Sequence, residues 1–167
     1  GPGDIVADIN QPVVNEVFFG HGWSVQDLFA QGNVHIQQPK YLADVAFGSL
    51  LHMVQDSFSS GHVERKMPVV GTNCKGMSEE IKAPGKIVEF HSYRNQDSDE
   101  HKADDIRNAF MRHWTSNDPS VVDVGKKLVE YYNDNKDWDV VGPYLECIFD
   151  LAPDARNSSA GQKYEKI

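Results

Sequence analysis

The chain has 167 residues, 25 acidic against 16 basic, and a formal net charge of −9. That length suits one domain with a real core, and 40% hydrophobic with 10% aromatic residues argues against a disordered chain. The acidic balance disfavours a nucleic-acid partner, whose phosphates call for clustered Lys and Arg, and no apolar run approaches the roughly 18 residues of a membrane span.

Gly1-Pro2-Gly3 reads as the scar of tag removal, with native chain expected upstream. Over about residues 4–19, Ile5, Ile9, Val13 and Val17 recur at helical spacing, with Pro12 as a kink or first-turn residue. Gly20-His21-Gly22 ends that helix, Ser24 caps a short one over residues 25–30, and Asn33-Val34-His35 lies in a connector. Pro39 then opens a long helix over about residues 40–58. On it Val45, Ser49, His52 and Asp56 share an arc of about 60°, beside a buried stripe of Leu42, Ala46 and Met53.

Residues 63–84 hold turn formers with little periodicity and read as an excursion that shapes a rim. The alternating Lys86-Ile87-Val88-Glu89-Phe90 suits a short strand paired with Met67 to Val70. A polar loop over residues 91–100 delivers His101 to a helix over about residues 101–113. There His101, Asp104, Asp105 and Asn108 share one side, and Ala103, Ile106, Phe110 and Trp114 the other. Asp118 as N-cap with Pro119 starts the next helix, to about Tyr132. A last helix over residues 137–151 is expected to break near Gly142-Pro143, and residues 152–167 read as a frayed tail. Cys74 and Cys147 make one disulfide or two free thiols. The whole is a mostly α, multi-helix domain over residues 4–151 with a small β element.

The chemistry concentrates in Leu-Leu-His-Met-Val-Gln-Asp-Ser-Phe-Ser-Ser-Gly-His, residues 50–62. His52 and Asp56, four apart, rise from neighbouring turns of one face and can grip a single cation. Ser59, Ser60 and Gly61 break the helix, so His62 can fold back over its end. Imidazole nitrogen with carboxylate oxygen is a donor mixture that suits zinc. His101 and Asp105 form a second i, i+4 pair, with Asp104 competing for the carboxylate position.

Elsewhere the plainer reading leads. His21 and His35 are loop imidazoles with additional ligation as the alternative, and His91 is structural or supports a ligand. His113 is a surface residue, and Asp97 is a solvated acid placed where it could orient an imidazole. Trp23, Phe58 and Tyr93 read as core before pocket lining.

The motif over residues 50–62 resembles the central metal motif of the zinc-dependent phospholipase C family, whose fold is shared with the S1/P1-type nucleases, and especially its bacterial phosphatidylcholine-hydrolysing branch. The resemblance covers about residues 43–105. It implies a helical bundle around two or three zinc ions, with His52 on one zinc, Asp56 as the bridging carboxylate, and His62, His101 and Asp105 on the other. It further implies a secreted or periplasmic phosphodiester hydrolase that meets phospholipid at a membrane surface and works through a metal-activated water. Family members carry a further His and a general-base Asp upstream, where His21 and His35 do not align, so either these two substitute or an upstream segment or a partner chain is expected to complete the site. The alternatives are a single-strand nuclease with the same metals, and a non-catalytic domain of a larger secreted effector in which metal staples helices. No adjacent His-Asp dipeptide of the HD phosphohydrolases occurs, nor paired Glu-x-x-His motifs of di-iron bundles.

Overall fold

The computed structural model describes residues 24–30, 39–106 and 119–166. The expected first helix, His21, Trp23, His35, His113, Trp114 and the Asp118 cap lie outside the described residues. The described chain is dominated by helices: α1 (Val25–Ala30), α2 (Pro39–Asp56), α3 (Ser98–Asp104), α4 (Val121–Asn133) and α5 (Trp138–Ile148). Strands β1 (Val63–Arg65) and β2 (Ile87–Phe90) form an antiparallel ribbon, and a 3-10 turn spans Gln162–Tyr164. The chain divides into two compact units, Gly1–Leu50 and Leu51–Ile167, with the division falling inside α2.

In the first unit α1 opens as its sequence dictates. Asp27 N donates to Ser24 Oγ at 3.1 Å and Ser24 N donates back to Asp27 Oδ2 at 3.0 Å, so two orphan donors are satisfied reciprocally. On α2, Ser49 Oγ donates to the Val45 carbonyl at 3.0 Å, and Leu42 is buried.

In the second unit α2 unwinds through tight turns, with Phe58 N donating to Gln55 O, Ser59 N to Asp56 O and His62 N to Ser59 O. Its buried end is Val54, Ser57 and Phe58, while Met53, expected in the apolar stripe, is exposed. At this end of the helix the buried face therefore passes through Val54 in place of Met53.

Arg65 fixes this exit. Its partly buried guanidinium donates to Ser57 O at 2.6 Å, Ser57 Oγ at 2.9 Å, Gly85 O at 2.9 Å and Ile148 O at 2.9 Å, and lies 4.6 Å from the Phe58 ring centre. Burial lowers its pKa to about 10, still far above neutrality, so a full positive charge meets the carbonyl end of α5. One side chain thus joins the helix exit, the approach to β2 and the end of α5.

The ribbon pairs Val63 with Phe90, Glu64 with Glu89 and Arg65 with Ile87, with a bulge between Glu64 and Arg65. Met67, Val69 and Val70 of the expected partner are instead exposed. β2 is buried over Ile87, Val88 and Glu89, so it selects the strand farther away along the chain, which brings the buried Val63 and the Arg65 clamp. Residues 66–86 are left as an excursion closed on itself by Cys74 N to Ile81 O and Ala83 N to Thr72 O. Cys74 is disulfide-bonded to Cys147, 73 residues away, which ties the excursion to α5.

Three further expectations are corrected. α3 begins at Ser98, three residues early, because Asp97 caps it. α4 starts at Val121 under a Ser120–Asp123 capping box, and buries Val124, Leu128 and Tyr131. α5 runs unbroken through Pro143; one hydrogen bond is forfeited, and the buried Tyr144, Leu145 and Ile148 hold the helix around the gap.

The tail does not fray. Ile87 N donates to Asp150 O, Ala152 N to Ile87 O, Arg156 N to Val88 O and Ser92 N to Ser159 O, so this segment satisfies the second edge of β2. Ala152, Ala160 and Tyr164 are buried. Glu64 and Glu89 face each other across the ribbon, a repulsive pair on its own, and the Arg156 guanidinium bridges both.

Burial pushes the Glu89 carboxyl up, but hydrogen bonds from Ser159 and Arg156, with the Arg156 charge, hold it below the ordinary 4.5. Its stabilising effect is therefore present above the unfolded value and lost as pH falls through the folded one. Limited proteolysis should show the tail released on acidification below pH 4.5, and Glu89→Gln should flatten that pH dependence. Replacing Cys74 and Cys147 by Ser should cost about 4 kcal/mol by the loop-closure account, measured as a lower urea midpoint.

Candidate metal centre

Two separate stretches of the second unit deliver five donors to one place. His52 and Asp56 stand on successive turns at the end of α2, and His62 follows on the exit turn. His101 lies in α3 and Asp105 is that helix's C-cap. Asp56 presents one oxygen to each flanking imidazole, Oδ2 at 3.2 Å from His52 Nε2 and Oδ1 at 4.0 Å from His62 Nε2. His62 Nε2 also lies 3.5 Å from Asp105 Oδ1, and His101 Nδ1 lies 3.6 Å from Asp105 Oδ2. The rings of His62 and His101 meet edge to face with centres 4.6 Å apart.

Most of these separations are too long for good hydrogen bonds. They suit donors gathered around an ion, since bonds of about 2.0–2.2 Å in a tetrahedron set neighbouring donors roughly 3.3–3.6 Å apart. His62, His101 and Asp105 each offer a ligand atom, all within 4.8 Å of one another. His101 Nε2 is also buried without a hydrogen-bond partner, so this imidazole has capacity the described protein leaves unused. The side chains of His62 and His101 are only 15% and 13% exposed, whereas His52 is 75% exposed at the outer edge. An inner trio with an outer His52–Asp56 pair is what the geometry builds.

The surroundings orient the donors. Ser59 Oγ donates to Asp105 Oδ1 at 2.6 Å, and the Tyr93 hydroxyl lies 3.4 Å from His62 Nδ1. Burial first, then the Asp56 and Asp105 charges, raise the pKa of Tyr93, which keeps its proton. Gly61 is required by contact: a Cβ there would lie 2.7 Å from Cδ2 of His101. Ser59 and Gly61 drew notice in the sequence only as helix breakers, and Tyr93 as a core aromatic before a pocket-lining one, whereas it is exposed. The hydroxyl-bearing residues beside the ligand motif were the available signal for their orienting role.

The remaining candidates do other work. Asp104, the rival to Asp105, is buried and accepts from Lys163 and the Tyr164 hydroxyl. Burial would raise its carboxyl, yet those bonds and the Lys163 charge hold it below the usual range, so it anchors the tail and not an ion. Asp97 accepts from Asp99 N at 2.8 Å and Glu100 N at 3.2 Å as a helix cap, and orients no imidazole among the described residues. His91 Nδ1 lies 3.3 Å from the Gly61 carbonyl, behind the ligand loop. A second set of convergent donors, Glu64, Glu89 and His91, also exists, but the Arg156 guanidinium already pairs with both carboxylates.

Comparisons with protein-family models, with curated proteins and with solved structures give no match. The site rests on its own geometry. Removing the hydroxyl that holds Asp105 tests that geometry without touching a donor. Ser59→Ala should weaken binding of a divalent transition metal by about 10–100-fold, read by competition with a chromophoric chelator.

Proposed function

We propose that this chain is a zinc-dependent phosphodiester hydrolase of the phospholipase C kind, with His52, Asp56, His62, His101 and Asp105 as metal ligands. The observation that carries the reading is the position of His62 Nε2 between the Asp56 and Asp105 carboxylates, 4.0 and 3.5 Å away. Mixed imidazole and carboxylate donors at these spacings fit zinc. Zinc, when bound, supplies the Lewis acidity that makes water a nucleophile near neutral pH and takes up charge on phosphoryl oxygens.

The protein's part is placement. Asp56 spans the two halves of the site, one oxygen toward His52 and the other toward His62. Ser59 fixes the Asp105 carboxylate, and Tyr93 holds a hydroxyl proton at the rim beside His62. The outer pair is open to solvent, which favours a site with a free coordination position over a closed structural staple. The resemblance of the residue 50–62 motif supports a choline phospholipid as substrate, and the net charge of −9 speaks against nucleic acid. The disulfide agrees with an oxidising, extracytoplasmic setting.

Phosphocholine release from phosphatidylcholine should be abolished by chelator and restored by zinc. His101→Ala should lower the rate by more than the roughly 10–100-fold of an outer-shell change. Turnover indifferent to chelator would refute the reading, and cleavage of single-stranded RNA or DNA in its place would move the assignment to a nuclease.

A further inference from the structure

The excursion between β1 and β2 turns apolar side chains outward. Met67 is 65% exposed, Val69 73% and Val70 81%. They sit on a built scaffold: Thr72 N donates to Val69 O at 3.0 Å, Asn73 bridges Lys82, and Cys74 is bonded to Cys147. A disulfide-held loop has little freedom left to lose on docking. Its foot, Met67 and Pro68, lines a cleft of about 520 Å³ whose wall also includes Ser60 and Asp104, neighbours of the metal-site residues.

Charge selects among surfaces. Lys66, Lys86 and Glu79 are paired within the fold, to Asp154, Asp150 and Lys127. Lys75 and Lys82, against the single Glu80, have no ion-pair partner among the described residues, so the loop carries an uncompensated positive charge. Two exposed lysines in the same excursion as an apolar tip match lipid phosphates above an acyl boundary. The whole chain at −9 is repelled by a strongly anionic leaflet.

We propose that Met67, Val69 and Val70 form a docking tip for a zwitterionic, choline-phospholipid bilayer surface, with Lys75 and Lys82 meeting its phosphates. The inference rests on the hydrolase reading only for the choice of lipid. Binding and turnover are therefore measured apart.

Flotation of the full chain with phosphatidylcholine vesicles, in chelator, reads binding alone. The Val69→Asp, Val70→Asp double variant should lower the bound fraction by about tenfold or more. Lys75→Glu with Lys82→Glu should lower it as well, and adding phosphatidylserine should lower it for the wild type. Hydrolysis of a monomeric short-chain phosphatidylcholine should be unchanged in the valine variant while hydrolysis of vesicles falls. No vesicle binding by the wild type, or equal binding by wild type and valine variant, overturns the proposal. So does self-association without lipid that the valine variant abolishes, which would assign the tip to a second copy. Vesicle binding without any ester turnover upholds the docking tip and sinks the hydrolase instead.

Discussion

A partly buried guanidinium with no carboxylate partner among the described residues holds this fold at its most consequential joint. Arg65 spends its donors on Ser57, Gly85 and Ile148. Three of the four acceptors are backbone carbonyls that the ends of helices and strands would otherwise leave poorly satisfied. Charge-assisted bonds to neutral acceptors keep the guanidinium's position independent of any carboxylate's protonation. The exit of α2 is thereby clamped just before the turn that carries His62, so a ligand on a loop gains the precision of a ligand on a helix.

Asp104 and Asp105 show how one short helix divides its labour. Consecutive side chains on a helix diverge by about 100°, so one carboxylate turns inward to Lys163 and Tyr164 and the other outward to Ser59, His62 and His101. The inward one fixes the tail against α3. The outward one offers itself to a cation. Neither could take the other's role without turning the helix.

Much of this was legible in the residues, because much of it is local. The His52–Asp56 pair and the short helix capped by Ser24 follow from spacing within one helical turn, and the break at Ser59-Ser60-Gly61 follows from its composition. What escaped the sequence depended on partners distant along the chain. β2 reads equally well against Met67–Val70 or Val63–Arg65, and only the clamp from Arg65 to Ile148 and the burial of Val63 decide between them. The tail reads as polar and loose because its polar residues look solvated. Arg156 and Ser159 are instead consumed by Glu89, and its backbone pairs with β2. Asp97 and Asp104 were ambiguous for the same reason: an acid's role is set by which donors face it, and here those donors are backbone amides, a lysine and a tyrosine.

Gln96 draws these threads through a single atom. Its buried side-chain nitrogen donates to the carbonyls of Gly61 and Ala160, each at 2.9 Å, using both amide protons. Only a group with two hydrogens to give can sit between two oxygens in this way. Conversion of that amide to the acid by slow hydrolysis would set oxygen against oxygen at both points, loosening the turn before His62 and the seat of the tail together. The ageing chemistry of one glutamine therefore couples the integrity of the ligand loop to that of a segment sixty-four residues beyond the glutamine itself.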